Sequence, residues 1–182
     1  GMVQLVDRAT GAFVKSLEDF DQPSDAIELA DGSVIVSEPV KGQLVRVKGD
    51  RRDVLAGGLQ MPSGLADAGD GTLFVTESGS GTLSRIDVTT GKAKVVASGL
   101  GGIRAMAIAP GGALIVLDAT GRRVLRISPD TGQQAVIARN LPVGYLLSPY
   151  PRSGGIAVGG DGSIYVAADV ENAIYKITPR RP

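Results

Sequence analysis

Apolar residues recur along the chain in short alternating or continuous runs, and no segment sustains the 3.6-residue apolar period of a helix. The string "DGSVIVSE" at 31–38 returns as "DGTLFVTE" at 70–77, "GGALIVLD" at 111–118 and "DGSIYVAA" at 161–168. Each copy is a Gly-bearing turn followed by Val, Ile, Phe or Tyr, residues that favour strands. The copies begin 39, 41 and 50 residues apart. Self-similarity at a period of about 20–50 residues marks a repeat architecture.

A second string keeps step with the first. It reads "LVRVKGD" from Leu44, "LSRIDVTTG" from Leu83, "VLRISPDTG" from Val124 and "IYKITP" from Ile174. A cation precedes a β-branched residue in each: Arg46, Arg85, Arg126 and Lys176. The N-terminal "VQLVDRATG" at 3–11 repeats the phrase, with Val6-Asp7 and Thr10-Gly11 matching Ile86-Asp87 and Thr90-Gly91.

Each unit therefore reads as four short strands. In the second complete unit they are predicted at 63–69, 72–78, 81–88 and 92–99, joined by turns short enough for hairpins. A repeated four-stranded antiparallel meander predicts an all-β fold, a β-propeller. About four blades are expected in one domain spanning 1–182. Three are complete (23–60, 62–100, 103–141); the units at 2–20 and 154–178 are partial. A lone blade leaves its faces bare, and stacking covers each with a neighbour. Val34, Val36, Leu73, Val75, Leu114, Val116, Ile164 and Val166 are the expected inter-blade layers. Ala26, Ala66, Ala107 and Ala157 suit the crowded first strands.

The stretch "PSGLADAGDGTLFVTESGSGTLSRID" at 62–87 resembles the NHL-repeat and SMP-30/gluconolactonase-like propellers. Their blades run Pro-x-Gly-apolar-Ala, then Asp-Gly, then an apolar strand ending in an acid. WD40 signatures are absent, and the chain has no Trp. The resemblance implies six blades, so this chain reads as a fragment of a longer propeller. The alternative is that the strand at 12–19 closes the last unit as its missing fourth strand, giving a four-bladed ring. An open fragment would expose blade faces and strand edges, from which a homo-oligomer is expected.

Composition narrows the chemistry. Lys+Arg and Asp+Glu are both 19 among 182 residues. That balance gives no electrostatic footprint for nucleic acid or an anionic membrane. No apolar run approaches the roughly 20 residues that span a bilayer. Cysteine and histidine are absent, which excludes thiolate nucleophiles, Cys/His zinc sites and histidine-based triads within this chain. The opening Gly1-Met2 reads as an added glycine before an initiator methionine, with no signal peptide following. The compartment stays open, export with a removed leader included.

Three sets of residues are candidates for function. Acids end the second strands at Glu38, Glu77 and Asp118, with Asp169 one place late. Set at one radius they could hold a divalent cation; the plainer reading is that they bind their own turns or pair with Arg46, Arg85 and Arg126. The second set precedes the first strands, at the mouth of a propeller tunnel, where SMP-30-like enzymes hold a divalent metal on Glu, Asn and Asp. The matching places here carry Ser24, Asp25, Ser63 and Arg104. Asp25 is the sole candidate ligand among them, and the cation Arg104 suits an anionic group better. No cofactor is predicted; calcium or zinc is the ion to test. The third set is the insertion "RNLPVGYLLSPYPRSGG" at 139–155, which breaks the repeat and carries Tyr145, Tyr150 and Arg152. Loops of this kind often line a binding face; the plainer reading is a connector packing Leu146 and Leu147. The expected function is a binding module that offers its tunnel mouth to a small ligand or protein partner. The alternative is a lactonase-like metal-dependent hydrolase, or an inactive piece of one.

Overall fold

The computed structural model describes residues 1–143, 155–168 and 170–178, and they contain strands and turns but no helix. The first sheet is a hairpin of β1 (Val3–Val6) and β2 (Phe13–Leu17). The second holds β3 (Ala26–Glu28), β4 (Val34–Glu38), β5 (Gln43–Lys48) and β6 (Arg51–Gly57) in chain order. The third repeats it with β7 (Pro62–Asp67), β8 (Thr72–Glu77), β9 (Thr82–Asp87) and β10 (Ala93–Ala97). The fourth does so with β11 (Ile103–Ile108), β12 (Leu114–Asp118), β13 (Arg123–Ile127) and β14 (Gln134–Ala138). The fifth has three strands, β15 (Ile156–Val158), β16 (Ile164–Ala168) and β17 (Ala173–Ile177). All pairings are antiparallel, and the leading strands β3, β7, β11 and β15 are successive neighbours. The result is an arc of propeller blades.

The period of two along each strand sends alternate residues to opposite neighbours. In β8, Leu73 and Val75 pack back with Ile35 and Leu44 of the second sheet, while Phe74 packs forward with Leu114, Val116 and Leu125 of the fourth. In β12, Ile115 and Leu117 pack forward with Ile164 and Val166. Val34 and Val36 pack back on the hairpin, against Leu17, Val3 and Leu5. All eight residues expected in the inter-blade layers are buried. Burying one such side chain stabilises the fold by about 1.5–3 kcal/mol. Four layers join five sheets; among the described residues no sheet covers the forward face of the last, and Ile174 there is 68% exposed.

Turn chemistry repeats with the strands. The Asp7 carboxylate accepts N–H bonds from Ala9 and Thr10 and the Thr10 hydroxyl, and Asp87 does the same with Thr89 and Thr90. The hairpin is thus the third and fourth strands of a blade. It also corrects the ring-closing alternative, because β2 pairs with β1 and not with β17. The alanine column needs correcting too. Ala66, Ala107 and Ala157 face Phe74, Ile115 and Tyr165, but the matching place in β3 is Ile27, and Ala26 sits one register away.

Candidate functional site

The candidate mouth residues lie where the leading strands begin. There β7 and β11 each carry an irregularity in register, between Pro62 and Leu65 and between Ile103 and Met106. A bulge bends a strand and re-aims its side chains. In the second and third sheets the hydroxyl one place before the strand-ending acid supports this end of the leading strand. Ser37 Oγ accepts the Asp25 N–H at 2.9 Å, and Thr76 Oγ1 accepts the Gly64 N–H at 2.8 Å. Ser37 Oγ also lies 2.8 Å from the Ser63 carbonyl, linking two blades. These hydroxyls were overlooked in the sequence; the readable signal was Ser-Glu and Thr-Glu at matching places in two repeats, with Leu117 in the third.

Asp25 is half-buried. Its Oδ1 accepts the Ala26 N–H at 2.9 Å, and its Oδ2 accepts the Leu65 N–H of the next blade at 2.8 Å. Burial raises its pKa above the ordinary aspartate value, and the bonds from Leu65 and Ala26 offset that only in part. Both oxygens therefore serve backbone amides. Ser24 is exposed, whereas Ser63 is buried and donates its hydroxyl to the Met61 carbonyl. The backbone of Arg104 lies in the β11 irregularity, at the place that matches Ser24 and Ser63; its side chain lies outside what the structure describes. Tyr145, Tyr150 and Arg152 lie outside the described residues, as does Asp169. The structure thus brings Asp25 and Ser63 to one blade boundary.

The strand-ending acids are buried and bind their own blades. Glu38 accepts the Asp21 N–H at 2.6 Å and bonds from Gln43 and Lys41. Burial pushes its pKa up, but the bonds from Asp21, Gln43 and Lys41 outweigh it, and the net direction is down. Glu77 accepts the Gln60 N–H at 2.7 Å and the Ser84 hydroxyl. Asp118 accepts the Gly121 N–H at 2.7 Å and pairs with Arg123 at 2.8 Å. Glu38 and Glu77 thereby pin the connector that enters each blade. Arg46 is not a partner of Glu38. In the antiparallel register it faces Ile35, while Glu38 faces Gln43, so Arg46 pairs instead with Asp31 at 2.9 Å. Among the described residues no three acids gather in a way that could hold a metal ion.

No protein-family model matches the sequence, and no curated protein matches it. Solved structures match its fold. Virginiamycin B lyase from Staphylococcus aureus aligns with a TM-score of 0.71 at 15% identity, over 100% of this chain and 64% of that one. A structure described as a nidogen/laminin complex aligns at 0.78 and 13%, over 97% of this chain and 70% of the other. A putative gluconolactonase aligns at 0.73 and 18%, over 91% and 62%. The chain thus spans about two thirds of the solved chains it resembles. With a WD40 propeller also among the neighbours, at 0.77, the fold is that of a β-propeller.

Proposed function

We propose that the chain is an interaction module, presenting the mouth-side ends of its leading strands to an anionic small ligand or an acidic partner surface. The observation that supports this is the use made of the acids at that end. Asp25, Glu38, Glu77 and Asp118 all spend their oxygens on backbone amides, neighbouring hydroxyls or adjacent side chains. Such acids hold blades and connectors in place and leave no free carboxylate pair for acid–base work among them. Arg104 supplies the cation in this reading, with Tyr145, Tyr150 and Arg152 from the insertion beside it; a guanidinium takes carboxylate or phosphate through a forked contact.

Calorimetric titration with gluconate, citrate and inorganic phosphate tests the reading. Binding of one of these anions is expected, weakened at least about tenfold by Arg104→Ala at unchanged melting temperature, the scale of one lost charged contact. No binding of any of the three, or binding indifferent to Arg104, overturns it. The likeness to a putative gluconolactonase favours a second reading, a metal-dependent lactonase. Lactone hydrolysis that appears only with added calcium or zinc would establish that reading in place of the first.

A further inference from the structure

An acid and a cation recur together in three blades, and one blade keeps the cation alone. Arg46, Arg85, Arg126 and Lys176 stand on one matching rung, opposite Ile35, Phe74, Ile115 and Tyr165. The turn that leads into the second strand carries Asp31, Asp70 and Asp161 in the second, third and fifth sheets, but Gly111 in the fourth. Asp31 accepts Arg46 Nη2 at 2.9 Å on one oxygen, and the Ser33 N–H at 3.0 Å and Ser33 hydroxyl at 2.6 Å on the other. Asp70 and Asp161 accept the Thr72 and Ser163 N–H groups, each at 2.9 Å. Bonds from Thr72 and Ser163, then the nearby charges of Arg85 and Lys176, hold both carboxyls below the ordinary range.

The fourth sheet lacks the acid and the hydroxyl at once, with Gly111 and Ala113 in their places. Pro110 and Gly111, the latter at φ +91°, close this turn through the Gly112 N–H and the Ala109 carbonyl, 2.9 Å apart, with no help from a carboxylate. Two donors are left over. Ala113 is buried, and its N–H has no acceptor among the described residues. Buried backbone donors are nearly always paired. The exposed Arg126 makes no ion pair among the described residues. Gly111, Ala113 and Arg126 line one cavity of about 400 Å³, and Asp130, also on its lining, forms no ion pair with Arg126. A Cβ on Gly111 would meet nothing within 4 Å. All these groups belong to a single blade.

We propose that this turn binds the carboxylate of a small molecule, seated where Asp31 holds its own in the second sheet. One ligand oxygen accepts the Ala113 N–H and the other accepts from the Arg126 guanidinium, the same division that Asp31 makes between Ser33 and Arg46. Charge-assisted bonds of this kind are the stronger class, and a planar carboxylate matches a guanidinium. The site lies at the opposite end of β11 from Arg104 and is independent of the surface proposed above.

Acetate, the carboxylate end of an aspartate side chain, is the probe. It is titrated into the full chain against chloride at constant ionic strength, and the Ala113 amide and Arg126 Nε–H are followed by NMR. Both signals are expected to shift together and saturate, while the Ser33 amide stays in place. Arg126→Gln should weaken the response of Ala113 at least about tenfold, the scale of one lost charged contact. The double variant Gly111→Asp, Ala113→Ser rebuilds the acid and hydroxyl of the other blades and should no longer respond. A drift that chloride reproduces, or a response indifferent to Arg126→Gln, overturns the proposal. So does a folded double variant that still binds, or phosphate saturating the same signals at lower concentration than acetate. Because the signals are read at Ala113, the result is separate from any binding at Arg104.

Discussion

The Asp25 carboxylate crosses a blade boundary to accept the Leu65 N–H at 2.8 Å. Leu65 opens the regular part of β7, so this bond fixes where one leading strand stands relative to the last. Asp25→Ala removes the acceptor and strands the Leu65 amide. A loss of about 1–3 kcal/mol is expected in urea unfolding, the usual cost of an unpaired half-buried group.

The same residue has a pH signature. Burial raises the Asp25 pKa in the folded chain. Between the unfolded and folded values the native state holds more protons than the unfolded one. The Asp25 contribution therefore weakens stability as pH rises from the ordinary aspartate value through the raised one. Asp31, Asp70, Asp87 and Asp161 are shifted down, each held by hydrogen bonds. Their contributions act above the unfolded value and are lost as pH falls through the folded one. Asp25→Asn should flatten the fall on the alkaline side of pH 4 and leave the acid limb intact, as urea midpoints across pH 2–7 would show.

Two glycines with the same backbone angle separate strain from contact. Gly11 and Gly91 both sit at φ +70°, but a Cβ on Gly11 would meet nothing within 4 Å. Gly11→Ala is expected to cost about 1–2 kcal/mol, the left-handed penalty alone. Gly91→Ala should cost more, since its Cβ also collides with the Leu55 carbonyl. Equal costs by thermal unfolding would refute the close approach of Gly91 to the Leu55 carbonyl.

The acids that end the second strands give a further pair of outcomes. Glu77→Ala frees the Gln60 amide and the Ser84 hydroxyl and should cost about 2–3 kcal/mol, as for bonds to a charged acceptor. Calcium and zinc should leave the wild-type melting temperature where it is, because these carboxylates are already engaged; a rise of several degrees would reveal a cation site.

The core offers a contrast by position. Leu114→Ala, in the layer between the third and fourth sheets, should cost about 2–5 kcal/mol. Ile174→Ala, on the uncovered face, should stay within about 0.5 kcal/mol.

The strands and their layers could be read from the chain because the repeat states them several times. Val75 and Val116 stand in matching phrases and are both fully buried. The bonding of single polar groups was less visible. Arg46 sits two residues past Leu44 in the sequence, yet which acid it meets depends on the antiparallel register that places Glu38 three rungs away. Asp25 read as a candidate metal ligand because its type fits, and its real partner, a backbone amide, has no letter in a sequence. The bulge at Ile137 was equally hidden, since a bulge shows only once strands are aligned.

The alternation of faces divides the chain energetically in an unexpected way. Phe74 and Val75 are bonded neighbours, but one belongs to the layer ahead and the other to the layer behind. Substitutions at these two should combine almost additively, whereas Val75 should couple to Ile35, 40 residues earlier. Each strand is thus a seam between two separately tunable partnerships, so a blade can be refitted to one neighbour while its fit to the other is left untouched.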